Sequence, residues 1–145
     1  MPLLPQDVRI NLKSLNHFYT FPVYKNLMDI ETLRVYCLNK HGVTESFPFD
    51  VDTLVFKVGG KMFLLINLQN PVSFNAKCNP ERAVTLREEF GEIMPGYHMS
   101  KIHWNTVSMT GRLSDKQLLE LIDHSYDLVY QGLSKKVKEE LKSIV

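Results

Sequence analysis

The sequence predicts a single α+β domain, and three patterns support this fold class. Two β-rich runs, TLVFKV and KMFLLI, are joined only by Gly59 and Gly60, which tolerate the positive φ angles of a tight hairpin turn. A third run, Val72 to Cys78, alternates apolar and polar residues in the manner of a strand with one wet side. Segments with apolar residues at helical spacing and recognisable caps lie before and after these runs.

The composition is that of an ordinary globular protein, with 44% hydrophobic and 23% charged residues. The formal net charge is only +1, so any electrostatic attraction to a partner must come from local clustering. Cys37 and Cys78 lie in apolar patterns without CxxC spacing, which indicates reduced thiols and a cytoplasmic location. The longest apolar run, Met62 to Ile66, is far short of the about 20 residues that a membrane-spanning helix needs.

The chain is interpreted as an N-terminal extension, residues 1–28, followed by a domain of residues 29–145. Prolines punctuate the extension, and Val8, Ile10 and Leu12 alternate with polar neighbours, which predicts one short strand there. The domain opens with a predicted helix that begins after the N-cap Asp29 and ends before Gly42.

The hairpin turn sets the predicted pairing of the next two strands. If Val58 pairs with Lys61, simple counting places Phe56 opposite Phe63, and Leu54 opposite Leu65, on the core side. The other side of the hairpin would then carry Thr53, Val55, Lys57, Met62 and Leu64. In the third run, the residues predicted to point inward are Val72, Phe74, Ala76 and Cys78, with Ser73, Asn75 and Lys77 pointing outward.

A short second helix is predicted after the third strand. Asn79 and Pro80 fit the N-cap and first helical positions, and Gly91 ends the apolar stripe. The turn dipeptide Pro95-Gly96 then opens a loop that leads into a predicted edge strand, residues 105–109.

Two further helices are predicted at the carboxyl end. Ser114 and Gln117 form a capping box ahead of an apolar stripe that ends at Gly132. Ser134 then caps a final short helix.

Several long motifs occur in an order that resembles the bacterial MmcQ/YjbR family: DTLVFKVGGKMF, NAKCNPERA, LREEF, PGYHMSKIHWNTV and LIDHSYDLV. The resemblance extends from about Met28 to Leu133. It implies a CyaY-like fold, an antiparallel β-sheet with helices packed on one face, and a DNA-binding role with a double-wing arrangement. Iron binding of the frataxin kind is not expected, because the first helix offers only Asp29 and Glu31 beside Arg34 and Lys40.

The expected function is nucleic-acid binding through a basic and aromatic surface, with DNA as the partner. Cations contact phosphates and aromatic rings stack on bases. The candidate contacts are Lys57, Lys61, Lys77, Tyr97, His98, Lys101, His103, Trp104 and Asn105. Two alternatives stay open: the lysines form a solvated sheet face while Trp104 belongs to the core, or the PGYHMSKIHW loop forms a pocket for a protein or small anion.

Catalysis, a metal and an obligate cofactor are not expected, and the chain is expected to be a monomer. His98 and His103 lie five residues apart with no nearby cysteine or carboxylate to complete a metal site. Cys78 precedes a helix start, where a thiol pKa can fall, and this is the single hint of reactivity. Its inward position in the alternating run instead favours a buried thiol.

Overall fold

A computed structural model describes residues 28–144, so the predicted strand around Val8, Ile10 and Leu12 lies outside the described residues. Within this range the chain forms one antiparallel sheet and a layer of helices. The strands are β1 (Val43–Ser46), β2 (Thr53–Val58), β3 (Lys61–Asn67), β4 (Ser73–Lys77), β5 (Ile93–Pro95) and β6 (Trp104–Ser108). The helices are α1 (Ile30–Leu38), α2 (Pro80–Glu89), α3 (Asp115–Gln131) and α4 (Lys135–Lys142).

The helix starts match the capping residues predicted from the sequence. The Asp29 side chain accepts a hydrogen bond from the Thr32 amide at 2.8 Å, and Ser134 accepts one from Val137. Asn79 caps α2, and Ser114 with Gln117 forms a complete capping box on α3. These local hydrogen bonds satisfy amides that the helices themselves leave without partners.

All the helices pack against one face of the sheet, as the family resemblance implied. The core between the layers includes Phe56, Phe63 and Phe74 from the strands, and Leu118 and Ile122 from α3. Burying aromatic side chains of this size supplies much of the stabilisation in a core. The side of the sheet that faces away from the helices is called the outer face below.

A β-bulge in the first hairpin overturns part of the predicted pairing. Val58 pairs with Lys61 as predicted, but the register shifts between Phe56 and Lys57. Phe56 therefore pairs with Leu64 and not with Phe63, because the bulge inserts one extra residue into β3. For the same reason Leu54 pairs with Ile66 and not with Leu65.

The bulge also changes which side chains reach the outer face. Leu65 pairs with Val55 and packs with it in a small outer cluster, whereas Leu64 belongs to the helix-side core. The prediction had placed Leu65 on the core side and Leu64 on the other side, which is the reverse of the arrangement found. The predicted inward positions of Phe74, Ala76 and Cys78 are confirmed, since all three are buried. Val72 was also predicted to point inward, but it lies before β4 and is 41% exposed.

Ser125 of α3 joins β3 to β4 at the point where their pairing stops. The ladder between these strands covers only Leu64–Ile66 and Phe74–Ala76. Beyond it, the Ser125 hydroxyl donates to the Phe63 carbonyl at 2.5 Å and accepts from the Lys77 amide at 2.8 Å. This buried hydroxyl therefore hydrogen-bonds to both strands.

The strand order is β1-β2-β3-β4-β6-β5. The strand predicted at residues 105–109 is present as β6, but its predicted edge position was wrong, because β6 lies between β4 and β5. The outermost strands β1 and β5 were not predicted. They contain only 4 and 3 residues, too few to show a clear alternation in the sequence.

Candidate nucleic-acid interface

The middle of the outer face is a small apolar cluster. Val55, Leu65 and Trp104 are buried there, and Met62 and Met99 pack against them. Trp104 is only 8% exposed, so its ring supports the outer face and is not presented to solvent. This position agrees with the alternative in which Trp104 is a core residue.

Three lysines lie near Met62 at one end of the sheet, two of them on the outer face and Lys61 at the adjoining strand end. Lys57 pairs with Met62 across the hairpin, and Lys77 pairs with Trp104. Lys61 and Lys77 line, together with Met62, a hollow of about 310 Å3 at the end of the sheet, where Leu128, Val129 and Gly132 at the end of α3 form its other wall. Lys61 is in register with the helix-side residue Val58, yet it is exposed at the very start of its strand. Lys57, Lys61 and Lys77 are called the lysine cluster below.

The lysine cluster is not neutralised by carboxylates within residues 28–144. The ion pairs in this range involve other cations, namely Arg34, Lys40, Arg82, Arg112 and Lys142. A group of ammonium ions without such partners attracts anions, even though the whole chain is nearly neutral.

The loop of residues 96–103 folds onto the other end of the outer face. The Tyr97 amide donates to the Thr106 hydroxyl at 2.9 Å, and the Asn75 side-chain amide donates to the Tyr97 carbonyl at 3.2 Å. The Thr106 hydroxyl donates in turn to Asn75 Oδ1 at 2.5 Å. These bonds fix the loop to the polar row of β4 and β6.

The fixed loop presents two rings to solvent. Tyr97 is 68% exposed, and its ring centroid lies 3.9 Å from that of His98. His98 has a φ of 58°, a left-handed conformation that costs energy for residues other than glycine. With His98 in this conformation, the rings of Tyr97 and His98 lie side by side on the surface of the loop.

A cavity of about 380 Å3 opens beside these rings. Its floor includes Leu65 and Met99, and Phe49 from the loop between β1 and β2 stands on its rim at 62% exposure. Asp50 also lines it. Phe49 and Asp50 were not among the predicted site residues, although the two phenylalanines among polar residues and a proline in the segment ESFPFD are a signal that could have suggested them.

The carboxylate of Asp50 stays ionised. Its Oδ1 accepts the amides of Asp52 and Thr53 at 2.9 and 2.7 Å, and its Oδ2 accepts the Thr53 hydroxyl. These donors stabilise the charged form, first of all the Asp52 amide, and they hold the pKa of Asp50 below its usual range. The cavity therefore carries a negative charge at the end of the face opposite the lysine cluster.

Asn105 does not belong to the outer face. It pairs with Ala76 on the helix side of the sheet and is only 2% exposed. Its Oδ1 accepts a hydrogen bond from Arg87 Nε of α2 at 2.7 Å. The prediction that Asn105 contacts nucleic acid is dropped, because its side chain is buried and already paired.

Lys101 and His103 lie on the loop but not in the lysine cluster. Lys101 Nζ donates to the Gly96 carbonyl at 2.9 Å, so its charge helps to close the loop. The His103 carbonyl accepts from the Cys78 amide at 2.8 Å and its side chain is exposed. Arg87 also donates to the carbonyls of Lys101 and Trp104, which ties the base of the loop to α2.

Cys78 is buried, as expected from its inward position, and the hint of reactivity is not supported. Burial raises the pKa of the Cys78 thiol, and it raises that of Cys37 to about 12. Both cysteines are buried. Within residues 28–144, no group of three or more His, Cys, Asp or Glu side chains is arranged to hold a metal ion. No helix in the described range is long and apolar enough to cross a membrane.

Residues 38–128 match the model of the family described as YjbR. The chain is 34% identical over 113 residues to the uncharacterized protein YbdF of Escherichia coli O157:H7, covering 77% of this chain and 93% of that protein. It is also 34% identical over 100 residues to the uncharacterized protein YjbR of Escherichia coli K12, covering 68% of this chain and 85% of that protein.

Solved structures share the fold described above. The crystal structure of Deinococcus radiodurans protein DR2400 has a TM-score of 0.75 and 36% identity, covering 84% of this chain and 92% of that chain. A crystal structure of a Pseudomonas syringae protein has a TM-score of 0.61 and 29% identity, covering 70% of this chain and 99% of that chain. The α+β architecture is therefore common to these relatives.

Proposed function

The chain belongs to the YjbR family, and from that premise we propose that the outer face of its sheet binds nucleic acid. One observation carries the proposal. Lys57 and Lys77 lie on the sheet face that the loop of Tyr97 and His98 covers, and Lys61 lies at the adjoining end of β3. None of the three has a carboxylate partner among residues 28–144. Ammonium groups contact phosphates, and exposed rings are available to bases.

The proposed role is binding without catalysis. The nucleophile considered from the sequence, Cys78, is only 4% exposed and its thiol pKa is raised, so it is held in its unreactive form. Binding by the lysine cluster requires no bond to be made or broken.

A fluorescence anisotropy titration at two salt concentrations tests the proposal. If each lysine of the cluster contacts one phosphate, the log–log salt slope is about −2.7, and affinity falls about 40-fold between 50 and 200 mM salt. Each of the substitutions Lys57→Ala, Lys61→Ala and Lys77→Ala should lower affinity and reduce the slope by about 1.

The matched control is Lys116→Ala. Lys116 is an exposed lysine near the start of α3, in the helix layer. Its removal changes the net charge by the same amount but leaves the slope unchanged. Affinity that does not change with salt concentration would contradict a role for the outer face. A loss of affinity in Lys116→Ala equal to that in the cluster variants would contradict it as well.

A second candidate function is the binding of a protein or small ligand by the loop of residues 96–103. The cavity beside Tyr97 and His98 supports it, since this alternative expects a pocket at that loop. The ionised Asp50 makes the cavity better suited to a neutral or cationic group than to an anion. Saturable binding at that loop with no dependence on the lysine cluster would favour this candidate.

A further inference from the structure

We propose that the cavity next to Tyr97 holds one unpaired nucleobase, preferentially one with an exocyclic amino group, so that the outer face binds single strands in preference to duplexes. The inference rests on the proposed function and deepens it. It assigns the lysine cluster to phosphates and the cavity to a base.

The walls of the cavity suit a flat aromatic ring. Phe49 and Tyr97 are 62% and 68% exposed at its rim, and Leu65 and Met99 close its floor. Its volume of about 380 Å3 lies within the usual range for small-molecule pockets. A base that enters can stack on an exposed ring while its edge meets the polar lining.

The negative charge of Asp50 and the positive charges of the lysine cluster favour different parts of a nucleotide, the base and the phosphate. The ionised Asp50 disfavours a phosphate in the cavity, whereas its carboxylate can accept a hydrogen bond from an amino group on a base. Ser73, at one end of β4, lines the cavity, and Lys77 at the other end belongs to the lysine cluster. At roughly 3.3 Å per residue, these positions are about 13 Å apart, a span that a short oligonucleotide covers.

A duplex cannot satisfy this arrangement without opening. A paired base is stacked on both faces and its amino group is already hydrogen-bonded, so it must leave the helix to reach a cavity. An unpaired strand avoids that cost. The geometry therefore favours single-stranded nucleic acid.

Anisotropy titrations of one labelled strand, alone and annealed to its complement, test the inference. The single strand should bind more tightly than the duplex. Tyr97→Ala should weaken single-strand binding by about tenfold, because stacking is lost, while Tyr97→Phe retains it. Duplex binding should be unchanged in both variants.

Ile102→Ala is the matched control for the aromatic substitution. Ile102 is 65% exposed in the same loop but is not among the cavity-lining residues. Its removal should leave single-strand affinity unchanged. An equal loss in Ile102→Ala and Tyr97→Ala would overturn the inference.

Base preference tests the role of Asp50. An oligonucleotide of deoxycytidine should bind more tightly than one of thymidine, because cytosine carries an amino donor where thymine carries an oxygen. Asp50→Asn keeps an oxygen for the Asp52 and Thr53 amides and should reduce this preference. An unchanged preference in the variant would overturn the assignment.

The results separate the two proposals. If binding depends on salt and on the lysine cluster but is unchanged in Tyr97→Ala, the cavity does not hold a base. The proposed function would still stand. Tighter binding of the duplex would lead to the same conclusion. Absence of binding by the full chain to either form would overturn both.

Discussion

On the helix side of the sheet, Phe56, Phe63 and Phe74 are at most 1% exposed, whereas the outer face is covered only in its middle. There a single loop packs Met99 over Val55 and Leu65 and leaves lysines at one end and exposed rings at the other. The difference indicates a division of roles. Substitutions on the helix side should change stability, and substitutions at the ends of the outer face should change binding.

The neighbours Phe63 and Met62 give the sharpest test of that division. Phe63→Ala should lower the free energy of unfolding by about 3–5 kcal/mol, because it leaves a cavity between the sheet and α3. Met62→Ala, one residue away and partly exposed, should cost less than half as much. Urea denaturation of both variants measures the difference, and equal losses would show that the faces do not differ in this way.

The next effect concerns the hydroxyl that joins β3 to β4. Ser125→Ala should destabilise the protein by about 2–3 kcal/mol, because it removes two buried hydrogen bonds and leaves the Lys77 amide without its acceptor. Ser73→Ala, at the partly exposed start of β4, should stay within about 0.5 kcal/mol of the parent. Denaturation midpoints compare the two, and a neutral Ser125→Ala would refute the bridging role.

Arg87 links the two sides, since it lies on α2 yet hydrogen-bonds to the base of the outer-face loop. Arg87→Met should cost about 1–2 kcal/mol and should speed hydrogen exchange at the Gly96 amide, which bonds to the Trp104 carbonyl. Arg82→Met, on the same helix, removes only a surface ion pair with Glu120 and should cost less. If the exchange rate of the Gly96 amide does not change in Arg87→Met, then Arg87 does not stabilise the loop.

The smallest effect is a pH dependence on the helix side. His124 Nε2 accepts the Asn79 amide at 3.1 Å, and burial lowers the pKa of His124 below 6.5. The unfolded chain therefore binds the proton more readily, so stability is lost as pH falls below that value. When the pH is lowered from about 7.5 to about 5.5, the urea midpoint should fall less in His124→Gln than in the parent. An equal fall in both proteins would show that other groups cause the pH dependence.

Features that depend on neighbouring residues were predictable from the sequence. The caps Asp29, Asn79 and Ser114 bond within their own first turns, and the Gly59-Gly60 turn aligns the residues beside it. The positions of Lys57 and Lys61 depend only on that turn. Their proximity could therefore be anticipated from the sequence, whereas Lys77 joins them only through the long-range pairing of β4.

Features set by distant partners were not predictable. Asn105 is held inward by Arg87, which lies 18 residues away, and nothing in the local alternation indicates this bond. The cavity requires Phe49 to meet a loop near Tyr97, so no single segment contains its signal. Trp104 looked available for stacking, but it faces Lys77 across the ladder and packs under Met99.

The bulge in β3 has a consequence for reading the relatives of this chain. One inserted residue puts Phe63 and Leu64 on the same side and reverses the phase of everything that follows. A homologue with the same number of residues in β3 but no bulge would direct the residues that follow to the opposite side of the sheet, even if their sequence were identical. Surface charge and cavity lining can therefore be transferred between family members only after the hairpin register of each has been established.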